Sequence, residues 1–311
     1  MKPSLLVILG PTAVGKTKLA VAIAQAFEGE IISADSRQVF KGMDIGTGKD
    51  LSEYHVNGMS VPYHLIDHLD AGSRYQVDAF KEDFFLAFDD ISSRGKLPVL
   101  CGGTGMYIHS LLQNHTYTAI PVDPSLREML LLKSKEELQA QLLNFPVSVR
   151  QHADFSTHKR LIRAIEIAEY LSHHTLVDQH RPALNSHVIG LTSSVETRRK
   201  RIHERLQYRL SHGLIEEVQH LLSNGVSAEM LVFYGLEYKF VVAYLHNEIS
   251  IDQLKEGLYI AICQYAKRQM TFFRKMEKDG VKIHWYDVDQ QEGMANRVIQ
   301  DLKCILNLQK K

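Results

Sequence analysis

Apolar residues recur along this chain in two rhythms. Leu5 to Gly10 is a short continuous apolar run that stops at Gly10-Pro11, which predicts a strand buried on both faces. From Lys16 to Phe27 the apolar positions Leu19, Ala20, Ile23, Ala24 and Phe27 fall at helical spacing, so the two segments read as a strand-loop-helix unit. Glu30 to Ser33 predicts a second strand. Asp78 to Ser92 predicts a helix with Phe80, Phe84, Phe88 and Ile91 on one face, and Leu97 to Cys101 a third strand running into Gly102-Gly103. Strands alternating with helices imply an α/β fold, a parallel sheet with helices on both faces.

From about Asp123 to Leu184 the rhythm is helical without strands, in Ser125 to Phe145 and Lys159 to Leu171. His187 to Leu191 reads as a strand returning to the sheet. Glu196 to Ser223 predicts a helical pair broken at a His212-Gly213 cap, and Leu236 to Lys275 two more helices. Val281 to Tyr286 is the last expected strand, followed by a helix ending near Leu308. The expected division is therefore an α/β core from residues 1–122 and 185–311, with an all-helical insertion over 123–184.

Composition adds that 311 residues, 45% hydrophobic and 23% charged, build a globular protein with a large core. The 36 Lys and Arg balance 36 Asp and Glu, a zero that alone argues against a nucleic-acid binder. That zero is a sum of unlike parts. Glu28 to Ser93 carries 13 acidic and 5 basic residues, whereas Glu196 to Arg209 and Lys267 to Lys282 each carry six basic and two acidic ones. Such stretches are either solvated helix faces or surfaces for a polyanion. No apolar run reaches membrane-spanning length, and the short apolar start lacks a small-residue cleavage site. Cys101, Cys263 and Cys304 are distant and odd in number, which points to a reducing cytoplasm rather than a disulfide framework.

Gly10, Pro11, Thr12, Ala13, Val14, Gly15, Lys16 and Thr17 fit the G-x-x-x-x-G-K-[ST] pattern, placed after a strand and before a helix. Glycines let successive N–H groups point inward, the helix N-terminus adds positive potential, Lys16 neutralises phosphate oxygens and Thr17 offers its hydroxyl to Mg²⁺. The fold expectation is accordingly a P-loop NTPase-like sheet. A nucleotide hydrolase would add an acid at the end of a long apolar strand, but Leu97 to Cys101 ends in Gly102-Gly103. The remaining acid is Asp35, at the carboxyl end of the second strand, where ligands of such sheets gather and a carboxylate can take a proton. Gly102-Gly103-Thr104-Gly105-Met106-Tyr107 brings a further loop to that edge, with Thr104 as its polar contact. His64 and His68 lack a third ligand for a metal. Tyr107, Tyr265 and Phe272 are either base-stacking or core residues.

Together, Gly10–Thr17, the Asp35-Ser36-Arg37-Gln38 to Gly46-Thr47-Gly48-Lys49 segment, Tyr63-His64-Leu65-Ile66-Asp67 and Gly102–Tyr107 resemble the tRNA dimethylallyltransferase (isopentenyl-tRNA transferase) family, in order and spacing. Lys159-Arg160-Leu161-Ile162-Arg163-Ala164-Ile165-Glu166 and Ala266-Lys267-Arg268-Gln269-Met270-Thr271-Phe272-Phe273-Arg274 resemble two further family segments, so the similarity runs along nearly the whole chain.

The resemblance implies transfer of a dimethylallyl group from dimethylallyl diphosphate to the exocyclic amine (N6) of the adenosine 3′ of the anticodon in tRNA, releasing diphosphate. On that reading the loop with Mg²⁺ binds the leaving group, Asp35 accepts the amine proton, and Thr104, Ser36 and Gln38 position the acceptor. Asp35, Ser36, Arg37, Gln38, Thr104, Arg127, Lys159, Arg160, Leu161, Ile162 and Arg163 form the implied tRNA-contacting set, with Arg201 and Arg205 open to either ligand. A monomeric cytoplasmic enzyme of bacterial type, without membrane association, is expected. Prenylation of free adenine nucleotides and small-molecule phosphorylation are the alternatives. The chain departs from the family at Phe233-Tyr234-Gly235-Leu236-Glu237-Tyr238-Lys239, where an Ile-Gly-Tyr-Lys/Arg-type segment is usual, and at Cys263 and Phe272, where Arg and Trp are common.

Overall fold

The computed structural model describes residues 4–56, 58–176, 183–290 and 293–307. The strands are β1 (Leu5–Leu9), β2 (Gly29–Ser33), β3 (His55–Val56), β4 (Met59–Ser60), β5 (Tyr63–His64), β6 (Leu97–Gly102), β7 (Ser186–Thr192) and β8 (Ile283–Asp287). Six of them form one parallel sheet in the order β5-β2-β6-β1-β7-β8, while β3 and β4 pair as a separate short hairpin. The helices in chain order are α1 (Lys16–Ala26), α2 (Val77–Ser93), α3 (Gly105–Leu112), α4 (Pro124–Leu131), α5 (Lys135–Leu143), α6 (Val147–Arg150), α7 (His158–His173), α8 (Val195–Ser211), α9 (Leu214–Ser223), α10 (Ala228–Tyr234), α11 (Leu236–Leu245), α12 (Ile251–Lys278) and α13 (Met294–Asn307). The expected end of the last helix near Leu308 lies outside the described residues.

β1 is apolar at every position because both faces of the sheet are covered. Leu5, Val7 and Leu9 pack into one cluster with α2, α3 and the α8–α12 helices, whereas Leu6 and Ile8 join a second cluster with Leu19 and Ile23 of α1 and Val298 and Leu302 of α13. The register aligns Leu9 with Gly102 and with Gly190, and Ser33 with Cys101. The loops after β1, β2 and β6 therefore leave the sheet at one level, which fixes where a site can form.

The chain divides into two units, residues 1–113 with 183–311, and residues 114–182. The expected insertion was 123–184. Residues 114–122 show no helical or strand rhythm, yet Arg163 donates to the carbonyls of Tyr117 at 3.1 Å and Ile120 at 2.6 Å, which fastens this stretch to α7. The helix expected over Ser125 to Phe145 is two helices, α4 and α5. The first ends at Leu131, and Ser134 caps the second, accepting from Glu137 N–H while the Glu137 carboxylate accepts from its own.

Inside the helical unit, Leu161 and Ile162 are core residues packed with Leu130, Leu138 and Leu142. In the segment that resembles a tRNA-contacting one, these two side chains are buried and hold α7 in its unit. Glu166 is also buried, and its carboxylate accepts two hydrogen bonds from Arg127, each 2.7 Å, and one from Arg163 at 3.3 Å. These two arginines, expected as tRNA contacts, are held by a buried carboxylate that needs them while their side chains stay 39% and 28% exposed. Lys159 and Arg160 remain exposed.

Replacing Glu166 removes the hydrogen bonds of two half-exposed cations and leaves a small cavity, so Glu166→Ala is expected to lose about 2 kcal/mol of stability. Arg160→Ala, breaking an exposed pair with Asp154, should lose less than about 1 kcal/mol. Urea midpoints of the two variants test the difference.

Candidate active site

The Gly10–Thr17 loop joins β1 to α1 through Gly15, whose φ of 83° only glycine adopts without strain. Lys16 begins the helix and its Nζ donates to the Pro11 carbonyl at 2.8 Å. Thr17 follows in the first turn. The loop is tied to the β6 end by one side chain from α12: Gln269 Oε1 accepts from Thr12 N–H at 2.9 Å and its Nε2 donates to the Gly103 carbonyl at 2.9 Å. A Cβ on Gly103 would stand 2.5 Å from that Nε2, so glycine is required for the bridge.

Asp35 stands just beyond β2 in a turn closed by its own carboxylate, which accepts from Arg37 N–H at 2.9 Å. Thr104, expected as a substrate contact, accepts from Ser36 N–H at 3.2 Å through its hydroxyl oxygen and so acts on the Asp35 turn. Gln38 accepts from the Ser33 hydroxyl at 3.0 Å and donates to the Gly48 carbonyl at 3.1 Å. Arg37 donates to the Phe233 carbonyl at 2.9 Å. The following loop is captured by Glu217 of α9, whose carboxylate accepts from the N–H groups of Asp44 (2.8 Å), Ile45 (2.6 Å) and Gly46 (3.0 Å) and from the Tyr238 hydroxyl (2.9 Å). Lys49, fully buried, donates to the Phe40 carbonyl at 2.7 Å and pairs with Asp44 and Asp67. The glycines and charges of this segment are thus explained by a loop that must stay rigid.

Two cavities meet at this edge. One, of about 560 Å³, is lined by residues 12–19, Gln38, Asp50, Glu53, Tyr54, Cys101, Gly102 and Arg201 among others. The second, of about 270 Å³, is lined by Ser36, Arg37, Arg209, Tyr234, Glu237, Tyr238, Tyr265 and Gln269 among others. Thr12, Lys16, Asp35, Thr47, Gly103 and Arg205 line both. Asp35 therefore stands at the junction of a space above the Gly10–Thr17 loop and a space walled by arginines and tyrosines.

Arg201, Arg205 and Arg209 recur every fourth residue along α8 and turn to this cleft; Arg205 donates to the Thr12 hydroxyl. Burial, with Arg209 beside it, pushes the Arg205 guanidinium down to about 10. Arg209 is buried and lies 3.7 Å from Glu237, whose carboxyl is raised by burial against the pull of Arg209. Arg209 and Glu237 were not singled out as site residues from sequence; the four-residue spacing is the signal that was there to find. Of the aromatic candidates, Tyr107 is core, stacked on Phe80 at 4.3 Å, Phe272 packs against Gly105, and Tyr265 lines the smaller cavity.

Burial pushes the Lys16 ammonium down to about 8, with Arg205 acting in the same direction and Cys101 and Asp35 against it. A bound anion would restore the proton. Above about pH 8 the free protein has lost that proton and must regain it to bind, so affinity for inorganic diphosphate should fall between pH 7 and 9. Titration calorimetry of wild type beside Lys16→Met, which removes this group but not the ligand's own ionisation, reads the effect.

The IPP transferase family profile matches residues 38–276. The chain is 48% identical over 284 residues to a tRNA dimethylallyltransferase 1 of Parabacteroides distasonis, covering 91% of this chain and 92% of the relative. It is 47% identical over 300 residues to a tRNA dimethylallyltransferase 2 of Bacteroides fragilis, covering 96% and 98%. Among solved structures, a tRNA delta(2)-isopentenylpyrophosphate transferase of Staphylococcus epidermidis superposes with a TM-score of 0.69 at 33% identity, covering 99% of this chain and 100% of the other. With the family profile spanning most of the chain and such relatives aligned nearly end to end, the protein belongs to the IPP transferase family.

Proposed function

We propose that this protein transfers the dimethylallyl group of dimethylallyl diphosphate to N6 of the adenosine 3′ of the anticodon in tRNA, releasing diphosphate. The observation that carries the reading is Asp35 at the junction of the two cavities, in a chain of this family. The donor diphosphate occupies the larger space, where the loop N–H groups, Lys16 and Arg205 receive the charge that develops as the allylic C–O bond breaks. The acceptor adenine enters the smaller space. Its amine forms the new N–C bond and yields its proton to the Asp35 carboxylate, while the C–O bonding pair leaves with diphosphate. An aryl amine is a weak nucleophile, so the rigid turn formed by Ser36, Gln38 and Thr104 supplies orientation. The base must leave its stack to reach Asp35.

Magnesium fits this arrangement. Among the described residues no three His, Cys, Asp or Glu side chains gather as a metal site, so the ligands would be the Thr17 hydroxyl and the diphosphate oxygens themselves, with Asp50 and Glu53 lining the same cavity. The ion would supply charge neutralisation of the leaving group. A phosphotransfer reading gains no support at the β6 end, where Cys101 stands, its thiol pushed up to about 12 by burial. Exposed Lys159 and Arg160 in the helical unit serve the tRNA backbone. The lining residues of both cavities come from one chain, which supports a monomer as the working form. No helix among the described residues is long and apolar enough to cross a membrane, and free cysteines accord with a cytoplasmic tRNA enzyme.

Asp35→Asn keeps the acceptor for Arg37 N–H and removes the base. Its kcat for dimethylallyl transfer to tRNA should fall by about 10²- to 10⁴-fold with diphosphate affinity retained. An undiminished rate in a single-turnover assay would refute the role of Asp35.

A further inference from the structure

The segment Phe233 to Lys239, expected from sequence to depart from the family pattern, begins with an aromatic ring that the core does not bury. Phe233 is 45% exposed at the end of α10, next to fully buried Tyr234. Two cations lie over it: the Arg37 guanidinium carbon is 5.1 Å from the Phe233 ring centre and that of Arg74 is 5.4 Å away. Neither arginine is ion-paired with a carboxylate among the described residues.

The cluster is built. Arg37 is held by the Phe233 carbonyl at 2.9 Å and lies 5.6 Å from the Tyr234 ring centre. The Tyr234 hydroxyl accepts from Gly72 N–H at 2.6 Å and donates to the Ser73 carbonyl at 2.7 Å, fastening the loop that carries Arg74. Three stretches of chain far apart in sequence are thereby locked around one exposed ring. Arg37 and Tyr234 line the smaller cavity, and Arg37 donates its backbone N–H to Asp35. The ring is thus joined to the cavity wall by its covalent neighbour and by the arginine two residues from Asp35.

A planar apolar face with two guanidiniums in no ion pair among the described residues, only Arg37 feeling the charge of nearby Asp35, suits an unpaired nucleobase beside its phosphates: bases stack on aromatic rings and on guanidinium planes alike. A protein or lipid partner of apolar character would leave both charges without use. We propose that Phe233, with Arg37 and Arg74, is a stacking platform for the base of one nucleotide flanking the acceptor adenosine, and thereby a specificity determinant of this chain. The proposal rests on the tRNA-prenylation reading.

The test uses the full chain, dimethylallyl diphosphate and three RNAs: an intact tRNA substrate, and the same RNA lacking the base on the 5′ or the 3′ side of the acceptor. With wild type, one of the two abasic RNAs should raise KM by about tenfold while kcat stays within about twofold. Phe233→Ala should raise KM for the intact RNA by a similar factor and no longer distinguish that abasic RNA. Phe233→Leu, which keeps apolar bulk without a π face, should behave like Phe233→Ala, and Phe233→Trp should restore the wild-type pattern. The platform is overturned if neither abasic RNA raises KM, if Phe233→Leu matches wild type, or if the variants lower kcat alone. Absence of transfer by wild type would instead overturn the reading of function.

Discussion

The amide of Gln269 accepts from the Thr12 N–H and donates to the Gly103 carbonyl, and the rest of the site depends on this pair of bonds. A parallel sheet delivers the ends of β1, β2 and β6 to one level, but delivery alone leaves three loops free to move. Helix α12 closes that freedom by bonding to two of them, and Thr104 links the third through Ser36. Between them lie the six residues common to both cavities.

Charge in the cleft follows from the same closeness. Lys16 and Arg205 are crowded and desolvated enough that each holds its proton less tightly than in water, while buried Arg209 and half-buried Glu237 lie side by side. Such a cleft is unfavourable by itself and improves on meeting an anion. The net charge of zero that spoke against a polyanionic substrate is irrelevant here, since a few cations at one sheet edge, and not the sum over the chain, decide what binds.

Several of these relations could be read from the sequence and several could not. The Gly10–Thr17 loop and the strand before Asp35 are legible because their conformation follows from local glycine and apolar spacing. Gln269 stands in a recognisable segment, but its two partners lie 257 and 166 residues away, and nothing in the spacing says so. Arg127 and Arg163 look like surface cations until Glu166 is seen beneath them, and buried Leu161 and Ile162 directly follow exposed Lys159 and Arg160 on α7 because a helix turns successive residues to different sides. β5 has two residues, too few to show a rhythm, and exists because Ile31 and Ile32 offer it an edge to pair with. Arg209 was hidden in a run of cations whose exposed members, such as Arg199 and Lys200, share its composition.

The Glu217 carboxylate gathers three consecutive N–H groups from a loop more than 170 residues earlier in the chain. During synthesis the loop after β2 leaves the ribosome long before α9 exists. Until then the N–H groups of Asp44, Ile45 and Gly46 have only water to bond, and Thr47, which lines both cavities, has no fixed place. A nascent chain that has emerged through β7 thus possesses the strand-loop-helix of β1 and α1 but no finished pocket. The cavity walls contributed by α8 to α12, Arg205, Arg209, Tyr265 and Gln269 among them, can join the loops after β1, β2 and β6 only once those helices have been made.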